Sequence, residues 1–307
     1  MTGRIRICTA PGTWGVEPGG SVDQPPWDLV LDEVAAAEFD GTELGPFGYL
    51  PFDADVLVSE LSSRGLELSA GYVMDRLHDA TQTRRILGDA GRTCALLADA
   101  GADALVLIGA LVPERSAAAG SQNESPPLVG SERATFISTL GDLVGLASDS
   151  GLAAVLHPHA GTHVEFESEI DQMLEEADDR LGLCIDTGHC LYSGVDAQAL
   201  LERYSPRVRH VHLKDVRSDV LSHALGAGLS FEEAVAAGTF CPLGQGAVDL
   251  EGFLTRLREF GYDGWATFEQ DRLPTEYERA RADAELSLAH LRTLGVDTIH
   301  RSHQHLE

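Results

Sequence analysis

Four short motifs in the second half of the chain combine histidines with acidic residues. They read HPHAGT at 157–162, DTGH at 186–189, HVHLKD at 210–215 and EQD at 269–271. Six of the twelve histidines lie between positions 157 and 212. Imidazole and carboxylate groups together form a ligand set suited to divalent transition metals. The residue types therefore predict a divalent metal centre, with Mn²⁺ or Co²⁺ preferred and Zn²⁺, Fe²⁺ or Mg²⁺ as alternatives.

The spacing within these motifs indicates which residues could bind the metal. Side chains alternate along a β-strand, so both histidines of a His-x-His triplet point the same way. We predict one ligand from each motif: His157, Asp186, His212 and Glu269. His159 and His210 are alternatives that would contact the substrate or support the ligands. Singly, each residue has an ordinary structural explanation, such as Asp186 capping a helix, but four in succession favour a metal site.

Lys214 is the only lysine among the 22 basic residues, and it lies two positions after His212. Arginine is effectively always protonated, whereas a lysine close to a divalent cation can lose its proton and act as a base. We therefore predict that Lys214 is catalytic. The alternative is an ion pair with Asp186 or Asp215.

Other residues near these motifs are candidates for acid–base chemistry or substrate binding. His189 is an alternative base, and His159 or Glu43 could supply the acid. Glu43 ends a predicted strand, so it could contact the substrate or stabilise a loop. Trp14 follows the first predicted strand and is expected either to line the pocket or to lie in the core. Arg217 is the only basic residue besides Lys214 that the sequence places near the site, and we predict that it binds substrate.

The elements that position these residues alternate between short β-rich runs and amphipathic segments. The predicted strands are Arg4–Cys8, Gly41–Leu44, Leu66–Gly71, Ala104–Ile108, Ala153–His157, Leu181–Ile185, Val208–Leu213 and Trp265–Phe268. Eight strands alternating with helices predict an α/β fold, a single-domain (β/α)8 TIM barrel over residues 1–295 with a polar tail at 296–307. A doubly wound open sheet is less favoured, because no G-x-G-x-x-G follows the first strand. In a barrel, the carboxyl ends of the strands converge on one site.

Two segments interrupt the alternation. Ser116–Ser131 is rich in Ser, Gly and Pro, and it is expected to be either a disordered surface loop or a lid over the site. Residues 217–248 form an insertion between the last two strands, with a short predicted helix at Phe231–Ala237.

Composition limits the classes of partner. The 49 acidic and 22 basic residues give a net charge of −27, which argues against binding to nucleic acid or to an anionic membrane surface. The five scattered cysteines and the absence of an apolar signal sequence predict reduced thiols and a cytoplasmic location. A small neutral polyol or keto-sugar suits such a chain better than a phosphorylated one. A homo-oligomer is left open.

Several motifs resemble the sugar-phosphate isomerase/epimerase superfamily of xylose-isomerase-like barrels, and within it the inosose dehydratases. Beside the four motifs above, they are ELGPFGYLP (43–51), SFEEAVAAGTFCPLGQGAVDL (230–250) and GYDGWATFEQD (261–271). Many relatives have Glu where this chain has His157, whereas the dehydratases have a similar His-x-His. That departure leaves open which of His157 and His159 binds the metal.

The resemblance implies an enzyme, a metal-dependent dehydratase that removes water from a keto-cyclitol such as 2-keto-myo-inositol through an enediolate. Lys214 or His189 would remove the proton next to the ketone, and His159 or Glu43 would protonate the departing hydroxyl. The alternative activity is a divalent-metal-dependent sugar or cyclitol epimerase or isomerase, which returns the proton without expelling water. A barrel that binds a sugar without turnover is a third, less favoured alternative.

Overall fold

The computed structural model describes residues 4–20 and 23–298, and within them all eight predicted strands are present. The strands are Ile5–Thr9 (β1), Gly41–Thr42 (β2), Glu67–Leu68 (β3), Ala70–Asp75 (β4), Ala104–Gly109 (β5), Ala153–Leu156 (β6), Gly182–Asp186 (β7), Val208–Leu213 (β8), Asp215–Val216 (β9), Phe240–Cys241 (β10) and Gly264–Phe268 (β11). Strands β9 and β10 form a separate antiparallel ribbon in the insertion. The predicted polar tail lies outside the described residues from position 299 onwards.

The remaining strands form one parallel sheet that closes on itself. Their order is β3-β2-β1-β11-β8-β7-β6-β5-β4, and β3 and β4 are two halves of one strand interrupted at Ser69. The Ser69 amide donates to the Thr42 carbonyl at 3.0 Å, and the Ser69 carbonyl accepts from the Asp103 amide at 3.0 Å. Ser69 therefore joins the two ends of the sheet, and the prediction of a single-domain (β/α)8 barrel is confirmed.

Helices surround this barrel and connect its strands. They are Trp27–Ala36 (α1), Ala54–Ser63 (α2), Thr83–Asp99 (α3), Pro113–Ser116 (α4), Gly130–Asp149 (α5), Glu167–Glu176 (α6), Thr187–Tyr192 (α7), Ala197–Tyr204 (α8), Ser218–Ala227 (α9), Phe231–Ala236 (α10), Leu250–Glu259 (α11) and Ala280–Thr293 (α12). Short 3₁₀ helices cover Pro11–Trp14, Ser205–Arg207 and Pro274–Arg279. The last helix begins at Ala280, directly after the 3₁₀ turn Pro274–Arg279.

The strand β5 shows how the barrel buries both of its faces. Its six residues, ALVLIG, are all buried. Ala104 and Val106 pack inside the barrel, whereas Leu105 and Leu107 belong to the larger apolar cluster that includes the helices. A parallel strand covered on both sides needs such a continuous apolar run. Polar side chains inside the barrel are therefore costly unless they are paired, which makes those at its carboxyl end informative.

The segment 116–131 and the insertion pack against each other. Ala119 shares an apolar cluster with Tyr192, Phe231 and Phe240. The Gly120 amide donates to Glu165 Oε1 at 2.6 Å, which anchors the segment to the loop after β6. The expectation of a disordered loop is therefore wrong, because apolar burial and this hydrogen bond hold the segment in place.

Two further observations concern the environment of the chain. All five cysteines are buried and carry free thiols. Across the ranges 4–20 and 23–298, no helix combines the length and apolar character needed to cross a bilayer.

Candidate metal centre and active site

Four side chains from consecutive strands of the closed sheet meet at its carboxyl end. His157 follows β6, Asp186 ends β7, His212 lies in β8 and Glu269 follows β11. His157 Nε2 lies 3.1 Å from His212 Nδ1 and 3.3 Å from Asp186 Oδ2. Glu269 Oε2 lies 3.0 Å from His212 Nδ1, and one ligand atom of each residue falls within 4.8 Å of the others. We call these four residues the tetrad.

The local chemistry of Asp186 fits a cation. Its Oδ1 caps α7, accepting from the amides of Gly188 and His189 at 2.8 and 2.9 Å. Its Oδ2 is buried, and its neighbours in the described part of the chain include Lys214 Nζ at 3.2 Å and His157 Nε2 at 3.3 Å. Burial opposes the charge, but Lys214 and His189 keep the pKa of this carboxyl well below its ordinary value. A buried, ionised carboxylate oxygen beside two imidazoles and a second carboxylate suits a divalent ion.

Glu43 supports the tetrad from behind His212. Its Oε1 accepts hydrogen bonds from His210 Nε2 and His212 Nε2, both at 2.9 Å, and from Thr267 Oγ1 at 2.7 Å. Burial disfavours the charge, yet His212 and His210 hold the pKa of Glu43 well below its ordinary value. The hydrogen bond from His212 Nε2 to Glu43 fixes a proton of His212 on Nε2 and directs Nδ1 towards the tetrad, where it could bind a metal.

That geometry bears on two expectations about this region. Glu43 is 1 % exposed and lies on the far side of His212 from the tetrad, which favours the stabilising role, and its contact with substrate stays a prediction. His210 is likewise taken up by Glu43 and Thr267 instead of facing the substrate.

Lys214 lies beside the tetrad, and three carboxylates surround its ammonium group. Its Nζ is 3.2 Å from Asp186 Oδ2, 3.0 Å from Glu269 Oε2 and 3.0 Å from Asp271 Oδ1, and it donates to His189 Nε2 at 2.9 Å. Burial disfavours the ammonium, but the three carboxylates outweigh it and hold the pKa of Lys214 well above its ordinary value. The ion pair with Asp186, the alternative expectation for Lys214, is present, and the catalytic role of Lys214 stays a prediction.

The DTGH motif also positions Lys214, a role that the sequence did not reveal. Thr187 Oγ1 donates to the Lys214 carbonyl at 2.8 Å and accepts from the Lys214 amide at 3.0 Å. A Cβ atom on Gly188 would lie 2.4 Å from Lys214 Cβ. Only glycine permits this close approach of α7 to the strand end that carries the lysine.

Two histidines and an acid line the other side of Lys214. The rings of His159 and His189 are 3.7 Å apart between centroids. Burial, then Lys214 and His157, lowers the pKa of His159 to about 3. Burial, with His159 and Lys214, also holds the pKa of His189 well below its ordinary value. Both imidazoles are therefore neutral near pH 7.

Asp271 is a candidate functional residue that the sequence interpretation missed. It lies within ion-pair distance of Lys214 and lines a cavity of about 480 Å³, which we call the main cavity. Burial raises its pKa to about 6, assisted by Glu269 and Asp186 and opposed by Lys214. The sequence could have indicated this role, because Asp271 lies two residues after Glu269 in the EQD motif and both carboxylates can therefore reach the same site.

The main cavity opens next to this cluster. His159 and Asp271 contribute to its lining, together with Phe231 and Val235 of α10. The insertion therefore covers the site, and the segment 116–131 packs behind it.

The two predicted substrate-binding residues are placed elsewhere. Trp14 is fully buried, and its Nε1 donates to Glu33 Oε2 at 2.6 Å, so the core alternative is the correct one. Arg217 donates to the carbonyls of Gly238 and Phe240 at 2.7 and 3.3 Å and lines a separate cavity of about 90 Å³. Its predicted contact with substrate is therefore not supported, because its guanidinium is used to hold the insertion.

A closed (β/α)8 barrel with a convergent polar cluster at the carboxyl ends of its strands is the architecture of a barrel enzyme. The model of the xylose isomerase-like TIM barrel family matches residues 31–294, and the chain belongs to this family. The predicted resemblance and the expectation of an enzyme are confirmed.

Individual relatives extend over most of the chain. It is 34 % identical to the rhizopine catabolism protein MocC of Rhizobium meliloti, covering 89 % of this chain and 83 % of that protein. It is 32 % identical to an inosose dehydratase of Clostridium botulinum, covering 81 % and 83 %. A crystal structure of IOLI protein with a bound zinc atom superposes with a TM-score of 0.70 at 16 % identity, covering 94 % of this chain and 98 % of that one, which shows the shared fold.

Proposed function

We propose that this protein is a metal-dependent hydro-lyase that removes water from a keto-cyclitol such as 2-keto-myo-inositol. The convergence of the tetrad with Lys214 at one end of the cavity is the observation that carries the proposal. The relatives named as inosose dehydratases support the choice of reaction. We further infer a cytoplasmic enzyme that acts on a small polyol ketone.

The ligands that we assign are His157 Nε2, Asp186 Oδ2, His212 Nδ1 and Glu269 Oε2. Their mixture of nitrogen and oxygen suits Mn²⁺ or Co²⁺, with Zn²⁺, Fe²⁺ and Mg²⁺ as alternatives. When bound, such an ion supplies Lewis-acid stabilisation for negative charge that develops on the ketone and hydroxyl oxygens of the substrate. Of the two histidines that the sequence left open, the positions favour His157, because its Nε2 lies 3.1 Å from His212 Nδ1 and 3.3 Å from Asp186 Oδ2, whereas His159 lines the cavity.

Lys214 is our candidate for the base that removes the proton next to the ketone. Asp186 and Glu269, two of the carboxylates that stabilise the ammonium form of Lys214, belong to the tetrad. If both bound a metal ion, they would stabilise the ammonium less, so the pKa of Lys214 would fall and the neutral amine would form more readily. His189 Nε2, at 2.9 Å from Nζ, accepts a hydrogen bond from Lys214 and orients its amine.

Asp271 is our candidate for the acid that protonates the departing hydroxyl. Its pKa of about 6 leaves part of the population protonated near neutral pH, and its side chain faces the cavity. His159 also lines the cavity and is the alternative, although its low pKa makes it the weaker donor at neutral pH.

The activity can be tested directly with protein that has been stripped by a chelator and reloaded with Mn²⁺ or Co²⁺. We expect 2-keto-myo-inositol to give a diketone, followed by its ultraviolet absorbance. An epimerase would instead incorporate solvent deuterium into the recovered substrate without loss of water. Failure to bind either metal would contradict both enzyme activities.

The role of Lys214 is tested by Lys214→Arg, which keeps the positive charge but cannot act as a base. We expect kcat to fall by at least about 100-fold, the lower range for a lost proton transfer. Metal content, measured on the same samples, should be unchanged. Activity close to that of the wild type would contradict the assignment.

A further inference from the structure

A buried thiol lies inside the barrel, one layer deeper than the tetrad. Cys184 precedes Asp186 by two positions in β7, so both side chains point to the same face and Cys184 lies about 6.6 Å deeper along the strand. The register with β8 repeats this layering, because Asp186 pairs with His212 and Cys184 pairs with His210. The barrel therefore has an upper layer that belongs to the tetrad and a lower layer that contains Cys184.

The sulfur of Cys184 is close enough to two histidines of the tetrad to share a metal ion with them. One ligand atom from each of His157, Cys184 and His212 lies within 4.8 Å of the others, and all three residues are buried. The two histidines already face each other, with His157 Nε2 and His212 Nδ1 3.1 Å apart. We call these three residues the inner triad.

The two histidines of the inner triad are held to different degrees. His212 Nε2 donates to Glu43 at 2.9 Å, whereas His157 Nδ1 is buried without a hydrogen-bond partner among the described residues. Turning the His157 ring from the upper layer towards the lower one therefore breaks no hydrogen bond at Nδ1. Buried polar atoms normally have a partner, so this nitrogen is a further indication of a ligand.

The surroundings of Cys184 leave its sulfur available to a cation. His210, its neighbour in the lower layer, donates to Glu43 Oε1 at 2.9 Å and lies 3.0 Å from Thr267 Oγ1. Cys184 is fully buried and belongs to the apolar cluster inside the barrel. An ion in the lower layer would therefore gain a sulfur ligand in a place that water does not reach.

The tetrad and the inner triad differ in the ions that they suit. The tetrad offers two nitrogens and two carboxylate oxygens, whereas the inner triad offers two nitrogens and one sulfur. Carboxylates suit Mn²⁺ and Mg²⁺, and thiolates favour thiophilic ions such as Zn²⁺. On binding, the thiol would release its proton to solvent, and the electron pair left on the sulfur would form the bond to the ion. Because His157 and His212 belong to both sets, the two positions exclude each other.

We propose that the inner triad is a second position for a divalent cation, which takes thiophilic ions such as Zn²⁺ through Cys184. An ion bound there lies deeper in the barrel than one at the tetrad, and it uses two of the four ligands that Mn²⁺ needs. Zn²⁺ is therefore an inhibitor of the Mn²⁺-loaded protein. This inhibition rests on the proposed function, whereas the site itself does not.

The sulfur ligand is tested first on the unaltered protein. Cd²⁺ serves as a substitute for Zn²⁺, because cadmium–thiolate bonds absorb in the ultraviolet. We expect chelator-stripped protein to develop this absorbance when Cd²⁺ is added, and Zn²⁺ to remove it in competition. X-ray absorption of the Zn²⁺-loaded protein should show a sulfur at about 2.3 Å beside nitrogens at about 2.0 Å. A zinc ion surrounded only by nitrogen and oxygen would overturn the inner triad.

The variant Cys184→Ser provides the second part of the test, since it keeps the size of the side chain and replaces the soft sulfur by a hard oxygen. Loss of a residue that only supports a ligand already costs about 10- to 100-fold in metal affinity, so loss of a direct ligand should weaken Zn²⁺ binding by at least about tenfold. Its affinity for Mn²⁺ should stay close to that of the wild type. Cys94→Ser is the matched control, because Cys94 is a buried thiol in the outer helix α3.

Inhibition provides the third part. For the Mn²⁺-loaded protein, half inhibition of the turnover of 2-keto-myo-inositol should need at least about tenfold more Zn²⁺ in Cys184→Ser than in the wild type. Equal inhibition of both proteins would overturn the inhibitory role of Cys184.

The two proposals fail in different ways. Absence of turnover for every ketone, together with a zinc–sulfur bond, overturns the proposed function and leaves the inner triad standing. Turnover with Mn²⁺, together with equal Zn²⁺ affinity of Cys184→Ser and the wild type, leaves the proposed function standing and overturns the inner triad.

Discussion

Glu43 lies outside the tetrad, and we propose that it supports the tetrad through His212. Its Oε1 accepts hydrogen bonds from two histidines and a threonine, and only one of these three donors, His212, belongs to the tetrad. A carboxylate bonded to the remote nitrogen of a ligating histidine fixes the tautomer and raises the basicity of the ligand. Glu43 is therefore a positioning residue.

This role predicts the behaviour of Glu43→Gln. The amide keeps the shape but loses the charge that orients His212, so we expect the affinity for Mn²⁺ to fall by about 10- to 100-fold. Equilibrium dialysis measures the affinity, and kcat at saturating metal should recover most of its value. Glu67→Gln is the matched control, since Glu67 lies in β3 with an exposed side chain. Equal affinities of Glu43→Gln and the wild type would contradict the role.

Two loops that follow different strands contact each other through a pair of histidine rings. His78, after β4, and His163, after β6, stack edge to face with ring centroids 4.6 Å apart. Burial, with His78 and Arg115, lowers the pKa of His163 to about 4. His163 therefore binds a proton less readily in the folded protein than in the unfolded chain, where its pKa has the ordinary histidine value.

The contact predicts a pH dependence of stability. The contribution of neutral His163 is complete above the unfolded pKa of 6.5 and is lost as the pH falls towards about 4. We expect the urea midpoint of the wild type to drop more steeply between about pH 7 and about pH 5 than that of His163→Gln. His223→Gln, on the exposed face of α9, should follow the wild type. Parallel curves for the wild type and His163→Gln would rule out this contribution.

At the scale of the whole molecule, the tetrad links four neighbouring strands of the barrel. His157, Asp186, His212 and Glu269 come from β6, β7, β8 and β11, which are consecutive in the sheet. A metal bound there contacts parts of the chain that separate on unfolding. Its binding free energy therefore contributes to the stability of the fold.

Metal removal should consequently destabilise the protein. At a free metal concentration 100-fold above the dissociation constant, the expected gain in the free energy of unfolding is about 2.7 kcal/mol. Denaturant unfolding with Mn²⁺ and with a chelator measures the difference. The variant Glu269→Gln should show a much smaller gain, and an equal midpoint for the wild type in both conditions would count against a metal at the tetrad.

Much of this arrangement follows from the sequence. The eight strands were predictable because each is a short apolar run bounded by turns, and their regular alternation with helices indicates the barrel. The barrel then brings the strand ends together, which is why one residue from each of HPHAGT, DTGH, HVHLKD and EQD lies in the tetrad. Period two along β8 also placed His210 and His212 on one face.

The tertiary structure alone decided what the remaining side chains do. Glu43 and His212 are 169 positions apart, and no local pattern shows that their side chains meet at 2.9 Å. Trp14 follows a predicted strand and Arg217 follows the HVHLKD motif, yet hydrogen bonds to Glu33 and to the carbonyls of the insertion hold them away from the main cavity. Periodicity sets the face on which a side chain emerges, whereas its partner is set by packing between distant segments, so the sequence determined where the polar residues gather and only the fold determined their contacts.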